Sequence, residues 1–211
     1  MSGNLFDSVP MLTLEAIEQL RDLIPGSRID AGPGGAAAAG ALFSGAGDEY
    51  RWLIWRVWGS ITATGGSHVC AWVKHNPSKA SGRRGDPTFT DAEQRARKWG
   101  YQGILMANLG AYVATKPKDF AMALDPIGKH NPRVLEWVLD HAAQVLVGWG
   151  NFPGGRARDL MVDARCRFTI AARKRNVELW CLGKNDNGSP KHLLARGKAK
   201  IPQGIQPERW P

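Results

Sequence analysis

The sequence predicts an α/β fold with parallel strands, and two observations lead to this expectation. Four short apolar segments typical of buried strands alternate with amphipathic segments typical of helices. The chain has 211 residues, of which 43% are hydrophobic and 22% charged, so it can bury a core without disulfide bridges. Strands that alternate with helices in this way lie parallel and are joined by right-handed crossovers.

The first part of the chain is predicted to be an appendage. Thr13 can cap a short helix that continues to Ile24. Residues 31–47 are rich in glycine and alanine, a composition typical of a linker. The expected organisation is an N-terminal helix and linker over residues 1–45, followed by an α/β domain over residues 46–211.

The elements of this domain follow from local patterns. Residues 50–58, YRWLIWRVW, alternate between apolar and polar side chains and predict an edge strand. Helices are predicted to begin at a capping box, Thr90-x-x-Glu93, and at Asn131-Pro132, while residues 156–174 form a weakly helical basic segment. The parallel strands are predicted over residues 69–74, 104–109, 145–149 and 177–182.

The ends of the four parallel strands carry the most informative residues. Ligands of parallel sheets bind beyond the carboxyl ends of the strands. Each of these ends has polar or aromatic side chains that the strand itself does not need, in residues 75–78, 108–112, 148–151 and 183–192. We therefore expect the functional site at this edge of the sheet.

The charge distribution favours a polyanionic partner. The net charge is +9 and the isoelectric point is about 9.8. Residues 1–49 carry −5, so the remainder of the chain carries +14, and residues 165–200 contain ten Lys or Arg against Glu178 and Asp186. A basic surface of this kind is the electrostatic footprint of nucleic-acid binding.

Several classes of protein are disfavoured by the sequence. There is no apolar run of about 20 residues and no basic, apolar start typical of a secretory signal, which predicts a cytoplasmic protein. The three cysteines form no CxxC pair and the five histidines lack metal-ligand spacing, so neither a metal nor a cofactor is expected. Phosphate-binding glycine loops and a GxSxG elbow are also absent from the sequence.

Several stretches resemble a bacterial and phage family known only as domain of unknown function 1643. The stretches lie within roughly residues 43–202 and read YRWLIWRVW, NPSKAS, DPTFTDAEQRARKWGYQGILMANLGAYVAT, DPIGKHNP, VGWG and LGKNDNGSPKH. Their order and spacing make the resemblance specific, although the family label implies no mechanism.

The layout is also similar to the uracil-DNA glycosylase superfamily. In that superfamily an Asn-Pro or Asp-Pro turn follows the first core strand, an asparagine ends a middle strand and a histidine lies on a late loop. Asn76-Pro77, Asn108 and His192 match these positions. The resemblance implies a three-layer α/β/α fold with a four-stranded, mainly parallel central sheet, to which the N-terminal helix and the edge strand are added.

Three residues are predicted to be catalytic on this basis. Asn76 would hold the attacking water, since an amide cannot act as a general base, or it is simply a turn asparagine. Asp86 would activate the water or begin a turn into the following helix. His192 would donate to the departing base or contact a phosphate, or it is an ordinary surface histidine.

Ten further residues are predicted to bind DNA. Phe89, Tyr112 and Trp149 are candidates to stack on the flipped base, with core packing as the alternative, and Asn108 could pair with its edge. Ser78 stands where uracil-specific enzymes carry a tyrosine, and so leaves room for a large substituent at carbon 5. The residues expected to contact the DNA backbone are Lys74, His75, Lys79, Lys184 and Lys191.

Together these features predict a DNA glycosylase. We expect it to flip and hydrolytically excise a 5-substituted pyrimidine, such as glucosylated 5-hydroxymethylcytosine, from phage DNA, leaving an abasic site and serving phage defence. Two alternatives remain open. One is a base-modifying enzyme of the phage type on the same fold, and the other is a non-catalytic reader of modified or single-stranded nucleic acid.

Overall fold

The structure is a computed structural model that describes residues 10–45, 47–62, 65–77, 86–152, 154–195, 197 and 200–211. Within these residues the helices are α1 (Leu14–Leu23), α2 (Pro87–Lys98), α3 (Pro117–Met122), α4 (Asn131–His141) and α5 (Arg156–Lys174). The strands are β1 (Arg28–Ala31), β2 (Ala39–Phe43), β3 (Arg51–Val57), β4 (Val69–Lys74), β5 (Gly103–Asn108), β6 (Gln144–Val147), β7 (Leu179–Cys181) and β8 (Glu208–Trp210).

The strands form one mixed sheet in the order β1-β2-β3-β5-β4-β6-β7-β8. The neighbouring strands β5, β4, β6 and β7 run parallel to one another. The outer strands β1, β2, β3 and β8 pair antiparallel with their neighbours. A mixed α/β fold is thus confirmed, but the four-stranded sheet is a wrong prediction, because the described sheet has eight strands and four of its seven pairings are antiparallel.

The N-terminal part predicted to be a helix and a linker contains two of these strands, and β2 lies wholly within the predicted linker. β1 and β2 pair with each other and β2 pairs with β3, so β3 is an interior strand and not the predicted edge strand. Glycine in β2 serves close packing here. A Cβ at Gly40 would lie 2.3 Å from the Trp55 ring, and the Trp55 Nε1 donates a hydrogen bond of 2.8 Å to the Ala36 carbonyl.

The helix starts also differ from the predictions at two of three sites. Thr13 caps α1 as predicted, since its hydroxyl accepts a hydrogen bond from the Ala16 N–H. In α2 the cap is Asp86, whose carboxylate accepts from the Phe89 N–H at 2.8 Å, and the predicted capping residue Thr90 lies inside the helix. α4 is preceded by His130 as the cap.

Helices cover both faces of the sheet. The first core is formed with α1, α4 and α5 and includes Val69, Ala71 and Val73 of β4. The second core is formed with α2 and includes the alternating residues Cys70 and Trp72. Because side chains alternate along a strand, the two cores lie on opposite faces of the sheet. None of the helices in the described ranges has the length and apolar character needed to span a membrane.

Replacing Gly40 with alanine tests whether residues 31–47 belong to the core. We expect Gly40→Ala to lower the free energy of unfolding by roughly 2 kcal/mol, because the added methyl group overlaps the buried Trp55 ring. Urea denaturation followed by tryptophan fluorescence would measure the change. Gly204→Ala is the control, since a Cβ there meets no atom within 4 Å. Equal stability of both variants would restore the linker interpretation.

Candidate functional site

Two buried polar side chains lie next to each other at the carboxyl edge of the parallel strands. Lys74 ends β4 and Asn108 ends β5, and the two residues are paired in the parallel register. They are 3% and 2% exposed, respectively. Within the described chain, neither the Lys74 Nζ nor the Asn108 Nδ2 has a hydrogen-bond partner. Buried donors without acceptors are costly and call for a bound water, an ion or a functional role, which makes this place the candidate site.

A β-bulge brings an arginine to the same place. Leu42 of β2 pairs with Leu53 of β3, but the next residue, Phe43, pairs with Arg51, so Trp52 is an extra residue in β3. Trp52 and Leu53 both pack in the first core, whereas Phe43, the partner of Arg51, belongs to the second. The bulge therefore turns Arg51, which is 2% exposed, toward the face that carries Lys74.

The charge of Asp86 acts on both buried cations. Burial lowers the pKa of Arg51 to about 10, and the nearby Asp86 carboxylate raises it in the opposite direction. Burial also lowers the pKa of Lys74 to about 7, against the raising effect of Asp86 and Asp91 and together with the lowering effect of Arg51. Asp86 is held in position because its carboxylate caps α2.

Two histidines at this edge are neutral near pH 7. Burial lowers the pKa of His75 to about 4, and its ring packs against Phe120 and Phe152 with centroid distances of 5.0 and 5.6 Å. Burial likewise lowers the pKa of His192 to about 4, helped by the charges of Lys74 and His75. The His192 Nδ1 accepts from the Leu194 N–H at 3.2 Å, so the proton of this neutral ring is on Nε2.

Asn76 is held by the turn that follows β4. Its Nδ2 donates to the Ala114 carbonyl at 2.9 Å and to the Pro77 carbonyl at 3.2 Å. Because an amide has two N–H hydrogens, both are used in these bonds. The group that Asn76 can offer to a water molecule is its Oδ1, an acceptor that can position the water without taking its proton.

Two of the predicted stacking residues lie in the cores instead. Phe89 is 1% exposed in the second core, with the Arg56 guanidinium 5.3 Å from its ring centroid. Trp149 is 2% exposed in the first core, edge-on to Trp210 at 5.1 Å. Neither ring has a face open to a base, which corrects the prediction. Tyr112 is half-buried and lies edge-on to Tyr50 at 5.9 Å. Ser78 lies outside the described residues.

The predicted contacts to the DNA backbone are dispersed. Lys74 is buried, and His75 is half-buried with its ring packed against Phe120 and Phe152. Lys184 lies 3.7 Å from the Glu208 carboxylate, and the Lys191 N–H donates to the Gly183 carbonyl at 2.9 Å. These bonds shape the loop between β7 and His192. Lys79 lies outside the described residues.

The sequence analysis missed two residues of this edge, Arg51 and Asn131. Arg51 begins a mostly apolar strand, and a charged residue in such a buried segment could have indicated a functional role. Asn131 begins α4, and its Nδ2 donates to the backbone carbonyls of both Asn108 and Leu109 at 2.8 Å. It thereby supports the end of β5 from the opposite face of the sheet.

A comparison with family models found one match. The family described as "Protein of unknown function (DUF1643)" matches residues 51–194. A search of the curated proteins and a search of the solved structures gave no match. The matched range begins at Arg51, ends just after His192, and includes Lys74, Asp86 and Asn108.

The lowered pKa of His75 predicts a pH-dependent stability. Between its ordinary value of 6.5 and the folded value of about 4, the unfolded chain binds more protons than the folded chain. The free energy of unfolding should therefore fall as the pH drops from 6.5 to 4, by on the order of 2 kcal/mol from this residue. His75→Phe, which preserves the ring packing, should reduce this fall, and the part due to His192, whose pKa is also lowered to about 4, should remain.

Urea denaturation at a series of pH values would measure this effect. Gln94→Ala, an exposed change on α2 that removes no titratable group, is the control and should keep the pH profile of the wild type. If the wild type and His75→Phe lose stability in parallel, His75 is protonated equally easily in the folded and unfolded chains.

Proposed function

Since the chain belongs to the DUF1643 family, described as of unknown function, we propose its activity from the site itself: a DNA glycosylase that excises a 5-substituted pyrimidine by hydrolysis. One observation carries this proposal: three buried polar side chains, Arg51, Lys74 and Asn108, lie on the same face of the sheet. The charge of the Asp86 carboxylate acts on the two cations among them and on the neutral His192.

Excision of a base requires stabilisation of the departing base, which leaves with a negative charge. Donors fixed in a buried site lower the energy of such a developing charge more than the same groups would in water. Arg51, with a pKa of about 10, is protonated at pH 7, and the His192 Nε2 carries a hydrogen that it can donate. Asn108 adds a buried amide donor that can bind the edge of the base.

The attacking water needs an acceptor that points it toward the sugar carbon. The Asn76 Oδ1 can hold the water, because the two hydrogens of its amide are fixed by backbone carbonyls. The Asp86 carboxylate, whose charge acts on Lys74 and His192, is the group that we assign to accept a proton from that water. Positioning and electrostatic stabilisation of this kind supply most of the acceleration in reactions that have no covalent intermediate.

The wider molecule fits a DNA substrate. The net charge of +9 favours binding to the phosphate backbone, and a base has to be flipped out of the stack to reach a buried site. The candidate site lies where the parallel strands β4 and β5 end, at the edge of the sheet where ligands of parallel strands bind. The preference for a large 5-substituent, and with it a role in phage defence, rests on Ser78.

Base release is the direct test. The purified protein is incubated without metal with ordinary DNA, uracil-containing DNA and phage DNA that carries glucosylated hydroxymethylcytosine, and abasic sites and free base are quantified. We expect abasic sites in the modified DNA. Release from uracil-containing DNA alone would retain the glycosylase but reject the substrate. Tight binding without any release would favour a non-catalytic reader.

Asp86→Asn separates the two functions of this residue. Asparagine is as good an N-cap as aspartate, so α2 is retained while the charge is lost. We expect excision to slow by about 100-fold, since the proton acceptor is removed. Asn76→Ala combined with Asp86→Asn should abolish excision and leave DNA binding intact. Gln94→Ala, an exposed change on α2, is the control. Full activity of Asp86→Asn would leave Asp86 as a helix cap alone.

A further inference from the structure

The buried amine of Lys74 supports an inference about a reaction beyond hydrolysis. Of the lysines with described side chains, Lys74 alone is buried, and its Nζ has no hydrogen-bond partner in the described structure. We propose that Lys74 is a catalytic nucleophile whose amine forms an imine with the aldehyde of the abasic sugar and so cleaves the DNA strand. This inference rests on the proposed glycosylase function, because base excision produces that aldehyde.

The contrast with Arg95 indicates that Lys74 is not a structural cation. Arg95 is 1% exposed, pairs with Asp91 at 2.9 Å and donates to the Pro202 carbonyl at 3.0 Å. This is how a buried cation is normally satisfied in a fold. Among the residues that the structure describes, the Lys74 Nζ has no such acceptor, so a methionine of similar length would stabilise the folded chain better. A buried amine that costs stability in this way is expected for a reacting group.

Geometry places the amine among the groups that the reaction needs. Lys74 is the last residue of β4, in register with Asn108, which is proposed to bind the base. The charged or titratable groups that act on it are Asp86, Asp91, Arg51 and His192. If Asn108 binds the flipped base, the attached sugar would lie close to Lys74 and to the charged residues that act on it.

The amine is also in the reactive protonation state. Burial lowers the pKa of Lys74 to about 7, so about half of the molecules carry the neutral amine at pH 7. A surface lysine with an ordinary pKa has a neutral amine in only about one molecule in 2,500 at that pH. Lysines desolvated in this manner serve as nucleophiles toward carbonyl carbons.

The steps are balanced without an oxidant or a metal. The lone pair of the Lys74 nitrogen attacks the aldehyde carbon C1′, a C–N bond forms, and the carbonyl oxygen takes up a proton. Loss of one water gives the imine. A proton then leaves C2′ to water, and the C3′–O bond breaks with its electron pair on the departing phosphate. Hydrolysis of the imine restores the free lysine.

Trapping with sodium borohydride tests this proposal. The full chain is incubated with a DNA oligonucleotide that already contains an abasic site, so the test needs no knowledge of the excised base. Borohydride reduces an imine to a stable amine, and the covalent adduct is quantified on a denaturing gel. We expect an adduct with the wild-type chain, formed with a pH midpoint near 7, and strand cleavage in the absence of borohydride.

Substitutions and peptide mapping locate the reacting amine. Lys74→Met, an uncharged side chain of similar length, and Lys74→Arg, which keeps a positive charge, should each lower adduct formation by about 100-fold. Lys98→Met on the exposed end of α2 is the matched control and should leave the adduct unchanged. In the wild type, proteolysis and mass spectrometry should find the adduct on Lys74, a readout that does not depend on the folding of any variant.

The outcomes separate this inference from the proposed function. Base release without a borohydride adduct would overturn the role of Lys74 and leave a purely hydrolytic glycosylase. An adduct on another lysine or on the N-terminal amine would also overturn it. An adduct on Lys74 without base release from any modified DNA would support the imine chemistry and reject the glycosylase.

Discussion

The candidate site depends on the parallel pairing of β4 with β5. This pairing sets Lys74 beside Asn108, and it continues past the strand ends, where the N–H groups of Leu109 and Gly110 donate to the carbonyls of Lys74 and His75 at 2.8 and 2.9 Å. Backbone hydrogen bonds thus hold two buried polar side chains together. Since a slip of one residue would turn either side chain to the opposite face, the register alone determines whether the site exists.

The surroundings of this pair combine rigidity with buried cationic groups. Asn131 supports β5 from the other face, and Asp86 is fixed as the cap of α2. The charge of Asp86 acts on both Arg51 and Lys74, and the charge of Asp91 also acts on Lys74. Under the proposed function, a departing base would bring its negative charge to these two cations.

The sequence predicted the parts of the fold that depend on local patterns. β4 was predicted over the residues it occupies, and α5 likewise, because apolar alternation and helical periodicity reflect local geometry. The prediction of a linker in the glycine-rich segment was wrong because small residues serve two purposes: they make a linker flexible, and they allow close packing in a sheet. Gly40 allows the Trp55 ring to pack closely, and only this tertiary contact distinguishes a packed glycine from a flexible one.

The candidate site was predictable in part for the same reason. Asn76, Asp86 and Asn108 stand at or just beyond strand or helix ends, and His192 lies on the loop after β7, where a polar residue is visible as an exception. Phe89, at the start of α2, and Trp149, just after β6, were predicted to stack on the base because an aromatic residue near the end of an element has the same local pattern whether it faces the core or the site. Arg51 was missed because its orientation depends on a bulge, and the extra residue becomes apparent only when β2 and β3 are paired.

The bulge at Trp52 has a consequence for how this strand can evolve. Before and after the extra residue, the side chains of β3 alternate between the two faces of the sheet in opposite phase. Whether Arg51 faces the site therefore depends on the number of residues in β3 relative to β2, as well as on their identity. If β2 gained one residue opposite Trp52, the two strands would pair without the bulge, and regular alternation would turn Arg51 to the face covered by α4 and α5. A related chain could therefore keep every charged residue and still lack the Arg51 guanidinium in the site, through an insertion of one position.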